Sequence, residues 1–389
     1  MRWIFCLSIL FLAVQTLTAN SENIRFLDAS WPETTAKAKE TGKFVFLDCY
    51  TDWCYWCKVM DKETFMDTSV TNIINAKFVP ARREMEKSDE GKALSMKYHV
   101  NGFPTYLIFD GNGQLVYQIV GYRVAADFKN ELTKALEAKT PLCPGFSTQL
   151  DPGFPKFYKE SFGTTKERKK SDPEVVNNWL DKQTDLFSEV SWAVMWRFTV
   201  SEKYENWIFD NKAKLTTLYG KEEIDSKITN IIFARVDRAA EKKDSVAFKA
   251  AVALVDIHVP EESSWMNFQL KLNYYRKIGD WKGYANTVNS DIKANGYAKA
   301  GTINGCAWTI YEECDDKTVV EQATVWMDSI CSSSEDYAYE DTYAACLYKK
   351  GDFKKAEEVA LHAIDLGKAA GEDVSGTESL LANIRLKIK

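Results

Sequence analysis

Histidine is scarce in this sequence: His99, His258 and His362 are the three it has in 389 residues. Scattered so widely, they form no pair at metal-ligand spacing and read as ordinary core or surface residues. An excess of positive charge is missing as well. Fifty lysines and arginines face 56 aspartates and glutamates, a net charge of −6, which argues against a nucleic-acid partner. The one basic run, K-E-R-K-K from Lys166 to Lys170, reads as a solvated linker. Long apolar stretches are absent beyond the first residues. Trp3 to Val14 is apolar except for Ser8, but falls well short of the roughly 20 residues a membrane helix needs. With Arg2 before it and Thr18-Ala19 after it, the pattern is that of a cleaved secretory leader over residues 1–19. A periplasmic or secreted location is expected, with no membrane span left after cleavage.

What is present belongs to a globular chain. Hydrophobic residues make up 45% and charged residues 27%, and the length calls for two or three cores. There are nine cysteines. Cys6 lies in the leader, so Cys49, Cys54, Cys57, Cys143, Cys306, Cys314, Cys331 and Cys346 remain, and export permits disulfides among them. Spacing leaves the pairings open. Cys314 or Cys331 can meet Cys346 across a helix hairpin, or Cys306, Cys314, Cys331 and Cys346 can all be small buried side chains. Trp192, Trp196, Trp207, Trp265, Trp308 and Trp326, on helical stretches, read as core.

Residues 20–139 carry an alternating α/β pattern. Trp31–Glu40 reads as a helix with Pro32 in its first turn and Gly42 after its end. Lys43–Asp48 (K-F-V-F-L-D) suits a strand buried on both faces. Helices are expected from about Cys54, over Thr68–Ala76 and over Gly91–Tyr98, with a strand at Lys77–Val79. Gly111-Asn112-Gly113, between two apolar runs, is a hairpin signal, and Ala125–Lys139 is amphipathic. Residues 140–172 crowd Pro141, Pro144, Pro152 and Pro155 with glycines and read as a linker. Residues 173–389 read as an all-α domain. Tyr274–Ala285 and Cys346–Glu357 resemble each other around Gly279-Asp280 and Gly351-Asp352. The second resembles a tetratricopeptide repeat through Gly351, Phe353, Ala356 and Ala363, so stacked helix pairs are expected there.

The chemistry concentrates in D-W-C-Y-W-C-K, Asp52 to Lys58. Two cysteines with two residues between them, placed where a strand ends and a helix begins, suit a redox dithiol. The first thiol meets the unpaired N–H groups of a helix N-terminus, which favour its thiolate, and the second lies within reach. A zinc site asks for two more ligands, and neither a second C-x-x-C nor a nearby histidine is present. A plain structural disulfide is the remaining alternative.

F-V-F-L-D-C-Y-T-D-W-C-Y-W-C-K resembles the active-site strand and helix of the thioredoxin superfamily, and N-G-F-P-T-Y-L-I-F-D-G-N-G resembles its proline loop and final hairpin. The continuation K-V-M-D-K-E-T-F-M-D, with V-G-Y after the hairpin, is similar to exported thioredoxin-like domains such as the C-terminal part of bacterial transmembrane disulfide reductases. The resemblance covers about a third of the chain. It implies Cys54 as attacking nucleophile, Cys57 as resolving thiol and Pro104 as the cis-proline facing them. It also implies a buried acid at Asp48 that takes the proton of Cys57. Trp53, Tyr55, Trp56, Phe103 and Thr105 would line the substrate groove. Tyr55-Trp56 and Phe103 depart from the smaller residues frequent at those places. Arg82 stands where a lysine near the buried acid is usual, and Arg83 has no evident role.

The expectation is an exported thiol–disulfide oxidoreductase that reduces or isomerises protein disulfides. Its partners would be a protein disulfide substrate and a thiol electron donor, and it would need no metal or organic cofactor. The alternative is a partner-binding protein in which the helical domain carries the function and the N-terminal domain is a scaffold or redox clasp.

Overall fold

The computed structural model describes residues 23–138 and 140–389. The expected leader lies outside the described residues. Two compact units divide the chain, one ending at Ile224 and one spanning Asp225–Lys389.

The first unit begins with helix α1 (Trp31–Thr41). Ser30 and Glu33 form a reciprocal capping box at its start, and Gly42, in the left-handed region at φ 66°, ends it. Then follow β1 (Phe44–Tyr50), α2 (Tyr55–Lys62), α3 (Thr68–Lys77), β2 (Phe78–Glu84) and α4 (Asp89–Lys97). β3 (Thr105–Phe109), β4 (Leu115–Val120) and α5 (Ala125–Glu137) complete the α/β part. Four strands form one sheet in the order β2-β1-β3-β4. β1 runs parallel to β2 and antiparallel to β3, and β3 and β4 are antiparallel.

The alternation of β1 divides the core. Phe46 faces the side of α2, α3 and α5, among Met60, Ile74, Tyr106 and Phe128. On β3, Phe109 meets Trp31 of α1 and Tyr98 just after α4, with ring centroids at 4.7 and 4.9 Å. Apolar residues on both faces explain why β1 reads as a continuous hydrophobic run. β2 is longer than its three-residue signal, because it takes in Arg82 and Arg83. Register places Arg82 beside Asp48 and Arg83 beside Cys49. Arg83 has a role after all: it pairs with Glu90 and donates to the Ala29 carbonyl, tying β2 to α4 and to the start of α1.

Residues 140–172, expected as a linker, contribute buried side chains to the first unit, among them Phe146, Phe154 and Tyr158. The Tyr158 hydroxyl donates to the Met96 carbonyl at 2.7 Å. The basic run is only partly solvated, since Lys169 pairs with Glu160 and Arg168 with Glu86. Helices follow at Pro173–Leu180, Glu189–Arg197, Glu202–Asp210 and Lys212–Tyr219.

The second unit is helical. The two similar segments form the same turn: helix Ser263–Ile278 ends on Gly279 and helix Tyr337–Lys350 on Gly351, both left-handed. Asp280 and Asp352 then cap the next helices, accepting from the N–H groups of Gly283 and Lys355. Trp326 is buried here, whereas Trp265, expected in the core, is exposed. Among the described residues no helix is long and apolar enough to cross a membrane.

Candidate functional site

β1 delivers the chain to a short turn in which the Cys54 N–H donates to the Thr51 carbonyl at 3.1 Å. Cys54 is the N-cap of α2, and its sulfur accepts from the backbone N–H of Cys57 at 3.0 Å. Cys54 and Cys57 are joined by a disulfide, with Cα atoms 5.4 Å apart. A sulfur at this position meets a helix N-terminus, an environment that favours negative charge. Both cysteines are covered: Cys54 is 2% exposed and Cys57 3%. Each sulfur is bonded to the other, and the exposed area lies on the flanking aromatic residues. Trp53 is 64% exposed, and Tyr55 and Trp56 are exposed as well.

The proline loop reaches the same aromatic cluster. The Phe103–Pro104 bond is cis, and the Pro104 carbonyl accepts from Gly121 N–H at 2.8 Å. The Phe103 ring stands edge-on to Trp53 with centroids 5.8 Å apart. Trp56 contacts Tyr55 and, on the other side, Tyr122, each at 5.2 Å. The Tyr122 hydroxyl donates to Glu63. Phe103 therefore meets Trp53, while Trp56 meets Tyr55 and Tyr122. Thr105 does not present itself there: it is buried at the start of β3, and its hydroxyl donates to the Gly102 carbonyl at 2.8 Å. Tyr122 belongs to the cluster but was assigned no role from sequence, although the V-G-Y after the hairpin marked its position.

Asp48 lies on the Phe46 face of β1, the side that carries α2. It is 1% exposed. Arg82 Nε stands 2.8 Å from Asp48 Oδ2 without the alignment of a hydrogen bond, and Arg82 Nη2 holds both oxygens of Asp61 at 2.8 Å. The guanidinium also lies over the Tyr50 ring at 4.6 Å. Burial pushes the Asp48 carboxyl up to about 7, Arg82 opposes the rise, and Asp61 adds to it. A carboxyl placed so can release and take up a proton near neutral pH.

The other cysteines stay apart from this chemistry. Cys49, Cys143, Cys306, Cys314, Cys331 and Cys346 are free thiols, so the pairings left open for Cys314, Cys331 and Cys346 are not made. Burial drives the Cys49 thiol well above its usual range and pushes those of Cys306 and Cys346 up to about 11 and about 12. Glu86 went unmarked in the sequence, and Arg168, in the run read as a solvated linker, pairs with it. Glu86 Oε2 accepts from the Trp53 indole N–H at 2.8 Å.

Residues 31–136 match the family described as Thioredoxin-like domain. A thiol:disulfide interchange protein DsbD from Haemophilus ducreyi is 38% identical over 89 residues, which are 22% of this chain and 16% of that protein. The DsbD of Salmonella typhi is 35% identical over 99 residues, 25% of this chain and 18% of that protein. The chain thus spans less than a fifth of the length of the curated relatives it matches. Among solved structures, a candidate disulphide-isomerase from Bacteroides thetaiotaomicron is 33% identical. That match covers 31% of this chain and 100% of the other, with a TM-score of 0.29. Residues 31–136 are a thioredoxin-like domain, and this domain holds the Cys54–Cys57 disulfide.

Proposed function

We propose that the chain is an exported thiol–disulfide oxidoreductase that reduces protein disulfides through Cys54 and Cys57. The observation that carries this reading is the placement of the pair at the N-cap of α2, with the Cys57 N–H on the Cys54 sulfur. The printed names of the relatives, thiol:disulfide interchange proteins, accord with it. Export rests on the charge and hydropathy pattern of residues 1–19.

In the reduced pair, the Cys54 thiolate attacks one sulfur of a client disulfide. A mixed disulfide forms, and the other client sulfur leaves as a thiolate that takes a proton. Cys57 then gives its proton to ionised Asp48 and attacks the Cys54 sulfur. The second client thiolate departs, the 54–57 disulfide remains, and two electrons have passed to the client. A thiol electron donor returns the pair to the reduced state. Trp53, Tyr55, Trp56, Phe103 and Tyr122 offer the client apolar contact around sulfurs that themselves expose little surface.

Equilibrating the leaderless protein in graded glutathione buffers, with alkylation and peptide mapping of each cysteine, tests this. A Cys54–Cys57 couple near about −270 mV marks a reductase, and one near about −120 to −180 mV an oxidant or isomerase. A pair that never equilibrates overturns the enzymatic reading.

A further inference from the structure

The segment after the thioredoxin-like domain folds back onto the site, and one side chain makes the connection. Glu86, just past the end of β2, is 4% exposed. One of its carboxylate oxygens accepts from the Trp53 indole at 2.8 Å, and the other pairs with the Arg168 guanidinium. Trp53 precedes Cys54 and stands edge-on to Phe103, which precedes the cis-proline. From Arg168 the connections therefore run through Glu86 to both loops that frame the disulfide. Arg168 lies far from them in sequence, within the run that reads as a linker.

Its position is fixed from several sides. Arg168 Nε donates to the Gly163 carbonyl at 2.7 Å. Gly163 has φ 108°, a region open to glycine, and a Cβ there would lie 2.8 Å from Glu167 Oε2. Glu167 in turn accepts from the Thr164 N–H at 3.0 Å, closing the turn that carries Arg168. Behind the turn, Arg197 donates to the Ser161 hydroxyl at 3.0 Å and covers the Phe162 ring at 4.4 Å. The Lys169 N–H donates to the Glu160 carbonyl at 2.8 Å. A guanidinium held in this way is preorganised for a carboxylate.

We propose that Arg168 is a positioning residue of the dithiol site: through Glu86 it fixes the indole of Trp53 in the place where a client polypeptide meets the cysteines. This deepens, and rests on, the thiol–disulfide exchange proposed above. Without Arg168, Glu86 is a nearly buried carboxylate lacking its cation, and the carboxylate is drawn toward water. Trp53 then loses a hydrogen-bonded orientation that an exposed ring cannot keep by packing alone. The effect falls on clients large enough to touch Trp53, because a small disulfide needs only the sulfur.

The test uses the full leaderless chain, as wild type, R168A and R168K, each also in a W53F background. Two substrates are compared: insulin as a protein disulfide, and 5,5′-dithiobis(2-nitrobenzoate) as a small one. The expected result for R168A is a loss of about tenfold in kcat/KM for insulin, as for one charge-assisted hydrogen bond, carried mainly by KM. The rate with the small disulfide stays within about twofold, and R168K recovers part of the insulin rate. In the W53F background R168A costs nothing further, a coupling that a general loss of folding would not produce. Thermal unfolding of each variant guards against the latter. Equal losses with and without Trp53, or no loss for insulin, overturn the role of Arg168. A wild type inert toward both substrates overturns the exchange activity itself, and the positioning role with it.

Discussion

Arg82 Nε stands 2.8 Å from Oδ2 of Asp48, while the same guanidinium holds Asp61 with two contacts of 2.8 Å. One cation serves two carboxylates of unequal burial. For Asp48, lost hydration outweighs the attraction of Arg82, so its carboxyl rises to about 7. If it takes the proton of Cys57, the resolving step needs the ionised form. Exchange then accelerates as pH rises through about 7. Asp48→Asn removes that inflection and lowers the rate at pH 8 by about a hundredfold. Stopped-flow rates from pH 5 to 9 check this, and an inflection that survives the substitution assigns it to another group.

The same shift links stability to pH. The folded state keeps the Asp48 proton up to about 7, whereas an ordinary aspartate releases it near 3.8. Between these limits the folded state binds more protons. This group therefore favours folding most below about pH 4, and that benefit declines as pH rises to about 7. Above that the cost is constant. Asp48→Asn therefore stabilises the protein at pH 8 by up to about 4 kcal/mol, at about 1.4 kcal/mol for each pKa unit. Urea unfolding at several pH values reads the effect, and an unchanged pH slope in the variant contradicts it.

Replacing Cys57 separates the two thiols. Cys57→Ser leaves Cys54 at the N-cap but removes the group that resolves the mixed disulfide. The expected outcome is a covalent complex with a protein client, visible on a non-reducing gel and released by dithiothreitol. Cys54→Ser forms none, because Cys57, inside α2, lacks the N-cap position at which the helix N-terminus favours a thiolate. Complexes formed equally by both variants would reverse or erase the assignment of roles.

Most of the α/β part was legible because each element carries its own local signal. Pro32 and Gly42 bracket α1, the apolar run marks β1, and Gly111-Asn112-Gly113 separates β3 from β4. The dithiol was legible for the same reason, as a motif at a strand–helix junction. Features made by long-range pairing were not. Arg83 had no evident role until β2 register set it beside Cys49 and within reach of Glu90 and the Ala29 carbonyl. His99 looked isolated, yet its ring stacks on Trp196 at 4.1 Å and its Nδ1 lies 3.0 Å from Glu223. Arg168 looked solvated because Glu86 is 82 residues away in the chain. Composition identifies a basic run without showing which member finds a buried acid.

The Phe46 ring tests how far the aromatic core supports the site. It stacks on Tyr106 at 5.5 Å and meets Phe65, Phe78 and Phe128 near 6 Å. Phe46 is fully buried on the central strand that also carries Asp48. Phe46→Ala is expected to cost about 3–5 kcal/mol, from lost burial plus the cavity left behind. Phe46→Leu should cost less than half as much. A denaturant titration showing equal midpoints for Phe46→Ala and wild type would mean that the surrounding rings collapse into the space.

Lys97 gives a sharper test of how the following segment holds the thioredoxin-like domain. Its side chain, at the end of α4, is fully buried and pairs with Glu189 at the start of helix Glu189–Arg197. Lys97 Nζ also donates to the Ser147 hydroxyl at 2.9 Å, and Glu189 accepts from the Ser147 N–H at 3.0 Å. Burial lowers the affinity of Lys97 for its proton, and Glu189 opposes that effect. Removing one partner strands the other charge. Lys97→Met is therefore expected to cost about 3–5 kcal/mol, far more than an exposed pair. Replacing both, as Lys97→Met with Glu189→Gln, should recover most of the loss, because the glutamine oxygen can still accept from Ser147 and no buried charge is left. A double-mutant cycle in urea measures the coupling. If the two costs simply add, the pair is well solvated, and the contact between α4 and that helix rests on packing alone.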